Sequence, residues 1–229
     1  MLNTENITIN THSSIRIEGS QVLYFDPFEV AQESHDADVI FVTHEHYDHF
    51  QPESMEKVKT EHTILVAPES MREKVLAQSG VPEENCRFCR PGIPGTDGGS
   101  LQPGAVPDLG KIVARAVPSY NLGKPFHPKE NNWVGYVVQM DGISYYVAGD
   151  TDLNNDIKEV TCDIALIPVG GHYTMNVEES AQLVSTIKPK IAIPTHYGSV
   201  VGDLSMGQTF AELVRKRDPQ IEVNLKIQP

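Results

Sequence analysis

Apolar and polar positions alternate with a period of two in short runs along most of the chain. "SIRIEG" (14–19) alternates cleanly, and "QVLYFD" (21–26) follows after a turn-length gap, which predicts an opening hairpin. "ADVIFVT" (37–43) is instead apolar almost throughout and rich in β-branched residues, as expected of a strand covered on both faces. The runs 62–68, 111–118, 133–140, 143–149, 162–169, 189–195 and 221–227 continue the series, with Asp141–Gly142 as a hairpin turn. The period changes to that of a helix over 52–60, 68–80, 176–189 and 205–219. The first two segments open on proline, whose fixed φ suits a first turn, and the second stops at Gly80. Asn176 and Ser205 read as N-caps, and the basic residues 215–217 complement the dipole at the end of the last helix.

Strands come first, then strands alternate with helices in both halves, and antiparallel hairpins are mixed in. That order predicts an α/β fold, an αββα sandwich of two mixed β-sheets flanked by helices. The glycine- and proline-dense stretch 90–110 reads as a long surface loop. No shift of composition marks a boundary, so residues 1–229 are expected to form a single domain.

Composition narrows the function. The chain carries 18 basic and 31 acidic side chains, a net charge of −13. Repulsion at that charge disfavours nucleic acid and anionic membrane surfaces as partners. The opening "MLNTENITIN" has neither the basic nor the apolar part of a secretory signal, and no apolar run reaches the length of a bilayer span. Three cysteines are too few for a disulfide framework, and with these features predict a cytoplasmic protein.

The chemistry gathers in "FVTHEHYDHF" (41–50), which holds three of the nine histidines. In an extended segment His44 and His46 point to the same side and can reach one cation. Asp48 and His49 follow as the chain turns, positioned for a second. Imidazole and carboxylate suit zinc, manganese or iron(II). A lone His-x-His is more often a solvated turn; the full H-x-H-x-D-H at a strand end is far more specific.

That stretch resembles the signature of the metallo-β-lactamase fold superfamily, and three further landmarks occur in the same order as in the family. "YFDPF" (24–28) is similar to its second-strand motif, with Asp26 behind the ligands. "VAGDTD" (147–152) is similar to the motif whose aspartate, here Asp150, bridges two metals, and "IPTHYG" (193–198) to the motif whose histidine, here His196, binds the second. The opening "NTHSSIRIEG" resembles the start of the lactonase-like UlaG branch and of small hydrolases of the fold, which puts His12 at the rim of the site.

The resemblance implies a metal ligand set of His44, His46, Asp48, His49, Asp150 and His196, holding one or two zinc ions, with manganese or iron(II) as alternatives. It also implies one histidine that the chain lacks at the expected place. The segment "AVPSYNLGKPFHPK" (116–129) should supply it, yet the aligned residue is Asn121, or Tyr120 in a shifted register. Three readings stand open. His127 replaces the ligand; the first site is weak and held by His44, His46 and Asp150; or His127 binds substrate or transfers a proton. The last two together are preferred over direct replacement.

Cations of this kind bring the pKa of bound water toward neutrality, and the resulting hydroxide would attack a small ester, lactone, amide or phosphodiester. Asp48, His127 and His12 are the expected catalytic groups and a small molecule the expected partner. The interval between "GDT" and "THY" is too short for the extra domain of RNA-processing relatives. The alternative is a metal-binding sensor or scaffold with weakened catalysis, which the absent histidine favours. A redox diiron role ranks third.

Among other candidates, His172 and Tyr173 either line the pocket or form a turn. Cys86 and Cys89 read as ordinary thiols, His35 and His62 as loop residues, and Trp133 and Tyr136 as core.

Overall fold

The computed structural model describes residues 2–92 and 104–227. Strands β1 (Ile7–Thr11), β2 (Ser14–Glu18), β3 (Val22–Phe25), β4 (Ala37–Phe41), β5 (Lys59–Pro68) and β6 (Cys86–Cys89) form one sheet in sequence order. The second sheet is made of β7 (Ala105–Val106), β8 (Val113–Pro118), β9 (Val134–Met140), β10 (Ile143–Val147), β11 (Ile164–Pro168), β12 (Ile191–Thr195) and β13 (Glu222–Val223), also laid side by side in sequence order. Each sheet is mixed. β1 to β3 pair antiparallel and β3 to β6 parallel; β7 to β10 pair antiparallel and β10 to β13 parallel.

The alternation explains the layers. Ile15, Ile17, Leu23, Phe25, Val39 and Phe41 point between the sheets and meet Tyr136, Val138, Tyr145, Val147 and Leu166 from the other side. The opposite residues of the same strands face the helices. Ile40, Val42 and Leu65 pack on α1 (Pro52–Val58) and α2 (Arg72–Gln78), while Tyr146, Ala165 and Ile167 pack on α3 (Val177–Ile187) and α4 (Ser205–Arg217). The αββα sandwich expected from the sequence is the observed architecture.

Asn176 caps α3 as its sequence implies. Its side chain accepts from the Glu178 and Glu179 amides, and Glu179 Oε2 accepts from the Asn176 amide. Local details differ from those expected. Ser205 is the first residue of α4 rather than its cap, because its amide and its hydroxyl both donate to Asp203 Oδ1, which engages the side chain that would have capped the helix. Pro68 ends β5 rather than opening a helix; a single 3₁₀ turn (Glu69–Met71) intervenes before α2. The hairpin of β2 and β3 gains an unexpected outer strand, β1, and "CRFC" forms β6, with Cys86 and Cys89 both buried. The last strand is confined to Glu222–Val223 rather than 221–227. Of the expected loop 90–110, residues 93–103 lie outside the described residues, and Ala105–Val106 pair with β8.

One polar clasp closes the parallel half of the second sheet. Lys190 Nζ donates to Asp163 Oδ1 at 2.7 Å, and the Ser144 amide and hydroxyl donate to Oδ2 at 2.9 and 2.8 Å. The Lys190 contact, followed by the Ser144 amide, holds the Asp163 carboxyl down to about 2 from its ordinary 3.8. A carboxylate depressed on folding stabilises the fold above its ordinary pKa, and that stability is lost as pH falls through the folded value. Asp163→Asn should therefore cost about 1 kcal/mol at pH 7, a typical net value for such a contact. In urea titrations the gap to the parent protein should shrink between pH 4 and pH 2; a gap independent of pH would refute the assignment.

Candidate metal centre

Strands of both sheets end along one edge of the sandwich, and the chemistry-bearing residues lie just beyond those ends. His44, His46, Asp48 and His49 follow β4, Asp26 follows β3, and His127 lies in the connection after β8. Asp150 follows β10, His196 follows β12, and His12 sits in the turn between β1 and β2. Backbone contacts fix these ends to each other. The Val134 amide donates to Thr43 O, Ser119 Oγ donates to Asp150 O, and the His196 amide donates to His12 O at 3.0 Å.

His12, Asp26 and His196 all have left-handed backbone, at φ 55°, 44° and 58°. Each such conformation costs a non-glycine residue roughly 1–2 kcal/mol, so its presence at three site positions means the surrounding packing holds them there. Gly170 is one such constraint: a Cβ at that position would stand 2.4 Å from His196 O. Only glycine lets the end of β11 approach the His196 backbone this closely.

Ligand atoms gather in three overlapping groups, each within 4.8 Å. These are His44, His46 and His127; His12, Asp48, His49 and His196; and His44, His49 and Asp150. Asp150 lies between the first two. Its Oδ2 is 2.9 Å from His196 Nε2, 3.3 Å from His127 Nε2 and 3.9 Å from His44 Nε2, while Oδ1 is 3.3 Å from His49 Nε2. Yet His49 Nε2, His127 Nε2, His196 Nε2 and Asp150 Oδ1 are buried and make no hydrogen bond. An unsatisfied buried polar atom costs about 1–3 kcal/mol, and four that converge on one small volume are what a cation would satisfy.

Three of the imidazoles are set in the tautomer that metal binding needs. Thr43 Oγ1 donates to Asp26 Oδ2 at 2.7 Å, so it accepts from His44 Nδ1 at 2.9 Å. Asp26 Oδ2 accepts from His49 Nδ1 at 2.7 Å, and Asn121 Oδ1 accepts from His127 Nδ1 at 2.9 Å. In each case the proton is held on Nδ1, and the Nε2 lone pair is left facing the centre. The residue set therefore fits one or two divalent cations.

His127 is where the geometry departs from the preferred sequence reading. That reading kept His127 out of the ligand group and left the first site weak. In the structure His127 is buried beside His44 and His46, with a ligand atom within 4.8 Å of theirs, so the three form one group that could hold a cation. Asn121, the residue aligned with the missing histidine, turns out to orient it. Asn121 Oδ1 takes both the ring and backbone N–H of His127, while Asn121 Nδ2 donates to Tyr173 O at 2.8 Å. Tyr120 is directed elsewhere, onto Asp156. Pro125 and Pro128 flank Phe126–His127 in the sequence, a stiff frame that could have signalled a fixed rather than a mobile histidine.

His12 also departs from its expected place. It is fully buried rather than at the rim, its Nε2 is 3.2 Å from Asp48 Oδ2, and its ring centroid is 3.8 Å from that of His196. Burial, opposed by the Asp48 hydrogen bond, lowers its pKa to about 4, so the ring is neutral at pH 7 and Nε2–H donates. For Asp48, burial acts upward, but the His12 hydrogen bond and the His49 charge outweigh it and hold the carboxyl down to about 2. Burial likewise acts to lower His49, and Asp150 and Asp26 on either side overcome it and raise its pKa well above the ordinary range. Burial also opposes the ionised form of Asp150, which His196 and His49 nonetheless hold well below the usual carboxylate range. A cation between these carboxylates would supply positive charge to both and leave His49 with its single proton on Nδ1, toward Asp26.

The sequence reading missed several contributors. Thr43 couples Asp26 to two histidines, and Trp133, expected in the core, packs against His44, His46 and His127 at 5.0–5.6 Å. Tyr136 does lie in the core, where its hydroxyl donates to Val42 O. Above the ligands opens a cavity of about 290 Å³ lined by His46, Tyr47, Asp48, Phe126, Asp150, Tyr173 and Val200. His172 is exposed and packs on Phe126 and Tyr173 from outside this lining.

A model of the beta-lactamase superfamily domain matches residues 6–196 of the chain. A UPF0173 metal-dependent hydrolase of Thermococcus onnurineus is 32% identical over 215 residues, covering 89% of this chain and 89% of the relative. Another of that name from Staphylothermus marinus is 34% identical over 193 residues, covering 82% of this chain and 75% of the relative. A crystal structure from Parabacteroides distasonis superposes with a TM-score of 0.73 at 26% identity, covering 97% of this chain and 93% of the other.

Proposed function

The chain belongs to the beta-lactamase superfamily, and from that premise we propose that it is a metal-dependent hydrolase of a small molecule with a two-cation centre, zinc being the first candidate. In this reading His44, His46 and His127 hold one cation, Asp48, His49 and His196 hold the other, and Asp150 lies between. The observation that carries it is the convergence of four unpartnered buried ligand atoms, two of them on imidazoles whose other nitrogen donates to a fixed acceptor. Bound cations would supply Lewis acidity, activating water near neutral pH and polarising the carbonyl or phosphoryl oxygen under attack.

The chain's own residues supply positioning. Asp26 and Thr43 set the rings of His49 and His44, and Asn121 sets that of His127. His12 donates to Asp48 and fixes that carboxylate at the floor of the cavity, so His12 is a positioning residue in this account and Asp48 faces the substrate. The reading of the protein as a sensor or scaffold rested on an absent third histidine. The position of His127 beside His44 and His46 supports the catalytic reading over that one. Turnover of generic aryl esters or phosphodiesters should vanish on chelation and return with added zinc or manganese; turnover indifferent to chelation would sink the proposal. No helix among the described residues is long and apolar enough to cross a membrane.

A further inference from the structure

The walls of the cavity differ in character from its floor. Asp48 and Asp150 lie at the floor beside the proposed cations, whereas Tyr47, Phe126, Tyr173 and Val200 form the sides. Phe126 meets Tyr173 edge to face at 4.6 Å, and Tyr47 packs edge-on against Phe28 at 6.0 Å, so the aromatic walls are held in place by ring contacts. Among the described residues that line the cavity there is no lysine or arginine. The lysine closest in sequence to the Phe126 wall, Lys124, is already engaged. Its Nζ donates to Asp152 Oδ1 at 2.6 Å and to Thr174 O at 2.7 Å, with Gly171 O at 3.3 Å.

A substrate with a fixed negative charge away from the reacting bond would leave that charge against aromatic and aliphatic surface with no cationic side chain in the lining, in a protein of net charge −13. Burying a charge without a partner is costly, whereas apolar surface gains about 25 cal/mol per Å² on leaving water. The cavity also sits at or just under the lower end of the ~300–1,000 Å³ typical of ligand pockets, which limits the occupant to a small molecule.

Building on the hydrolase reading, we propose that the substrate is a small ester or lactone that carries no negative charge and whose apolar part lies against Tyr47, Phe126, Tyr173 and Val200. In the reaction, water adds its hydroxyl to the acyl carbon and the acyl C–O bond breaks. The bonding pair leaves with the alkoxy oxygen, which takes the remaining proton of that water. An ester gives an acid and an alcohol, a lactone a single hydroxy acid, and nothing is oxidised or reduced.

The test uses two esters of matched reactivity on the zinc-reconstituted full chain, p-nitrophenyl hexanoate and the p-nitrophenyl monoester of adipic acid, with bis(p-nitrophenyl) phosphate alongside. The neutral ester should exceed its carboxylate counterpart in kcat/KM by at least tenfold. Phe126→Ala should raise KM for the neutral ester about fivefold or more with kcat little changed, and Phe126→Lys should narrow the preference. Binding is read separately from catalysis, by saturation-transfer NMR of the amide analogue hexananilide on the metal-free protein, where Phe126→Ala should weaken the signal. Equal or better turnover of the charged ester, a tenfold kcat/KM preference for the phosphodiester, an unmoved KM in Phe126→Ala, or no amide binding overturns the substrate class and leaves the hydrolase reading standing. No turnover of all three compounds overturns both.

Discussion

Asp150→Ala is expected to empty the centre. Asp150 lies within 4 Å of four imidazole nitrogens, those of His44, His49, His127 and His196, and it is almost fully buried. Among the described residues it is the one carboxylate with contacts to imidazoles of both ligand groups, so its removal takes negative charge from each site at once. Removing one partner of a buried charge pair costs roughly 3–5 kcal/mol, which is about a 10²- to 10⁴-fold loss of affinity at each site. Metal content after gel filtration should fall from about two ions per chain to well under one, and hydrolysis should fall with it. The fold should persist, because the cores between the sheets and under the helices do not include Asp150. Unchanged metal content in a folded Asp150→Ala protein would contradict its bridging position.

The second large effect is expected at His127, and it should be one-sided. His127→Ala removes one imidazole from the group of His44 and His46 and leaves Asp48, His49, His196 and Asp150 intact. One ion per chain should be lost and the other kept. Asn121→Ala probes the same site more gently, since Asn121 touches His127 Nδ1 and no ligand atom facing the centre. Loss of an orienting partner of this type typically weakens metal affinity about 10–100-fold. Competition with a chromophoric chelator should therefore show one weakened site in Asn121→Ala and one absent site in His127→Ala. If both variants bind two ions with the affinity of the parent, His127 is no ligand and the sequence-level preference for a proton-transfer role returns.

The contrast between Asn121 and His127 shows where a sequence can be read and where it cannot. The layers of the fold were legible because each strand's alternation reports its two faces, and the cap at Asn176 because its partners lie within three residues. "HEHYDH" was legible for the same reason: six consecutive residues at a strand end carry their own geometry. His127 depends instead on how a loop folds back, six residues beyond the aligned position, and on a contact from Asn121 that only the folded loop creates. The rim position of His12 comes from the family resemblance of its motif; β1, whose "ITINT" alternates as clearly as the strands that were recognised, brings that turn against Asp48. The cavity walls were the least legible. Tyr47, Phe126, Tyr173 and Val200 come from four separate connections, and nothing in their local sequence marks them as neighbours.

The central claim is that this edge of the sandwich binds two cations through residues from both sheets. It is tested most directly by elemental analysis of the full chain purified without chelator and without a histidine tag. Close to two metal ions per chain is the predicted result, and it would give His127 its place as the third imidazole of the first site. One ion or fewer, unchanged after dialysis against zinc or manganese, would contradict the two-cation account.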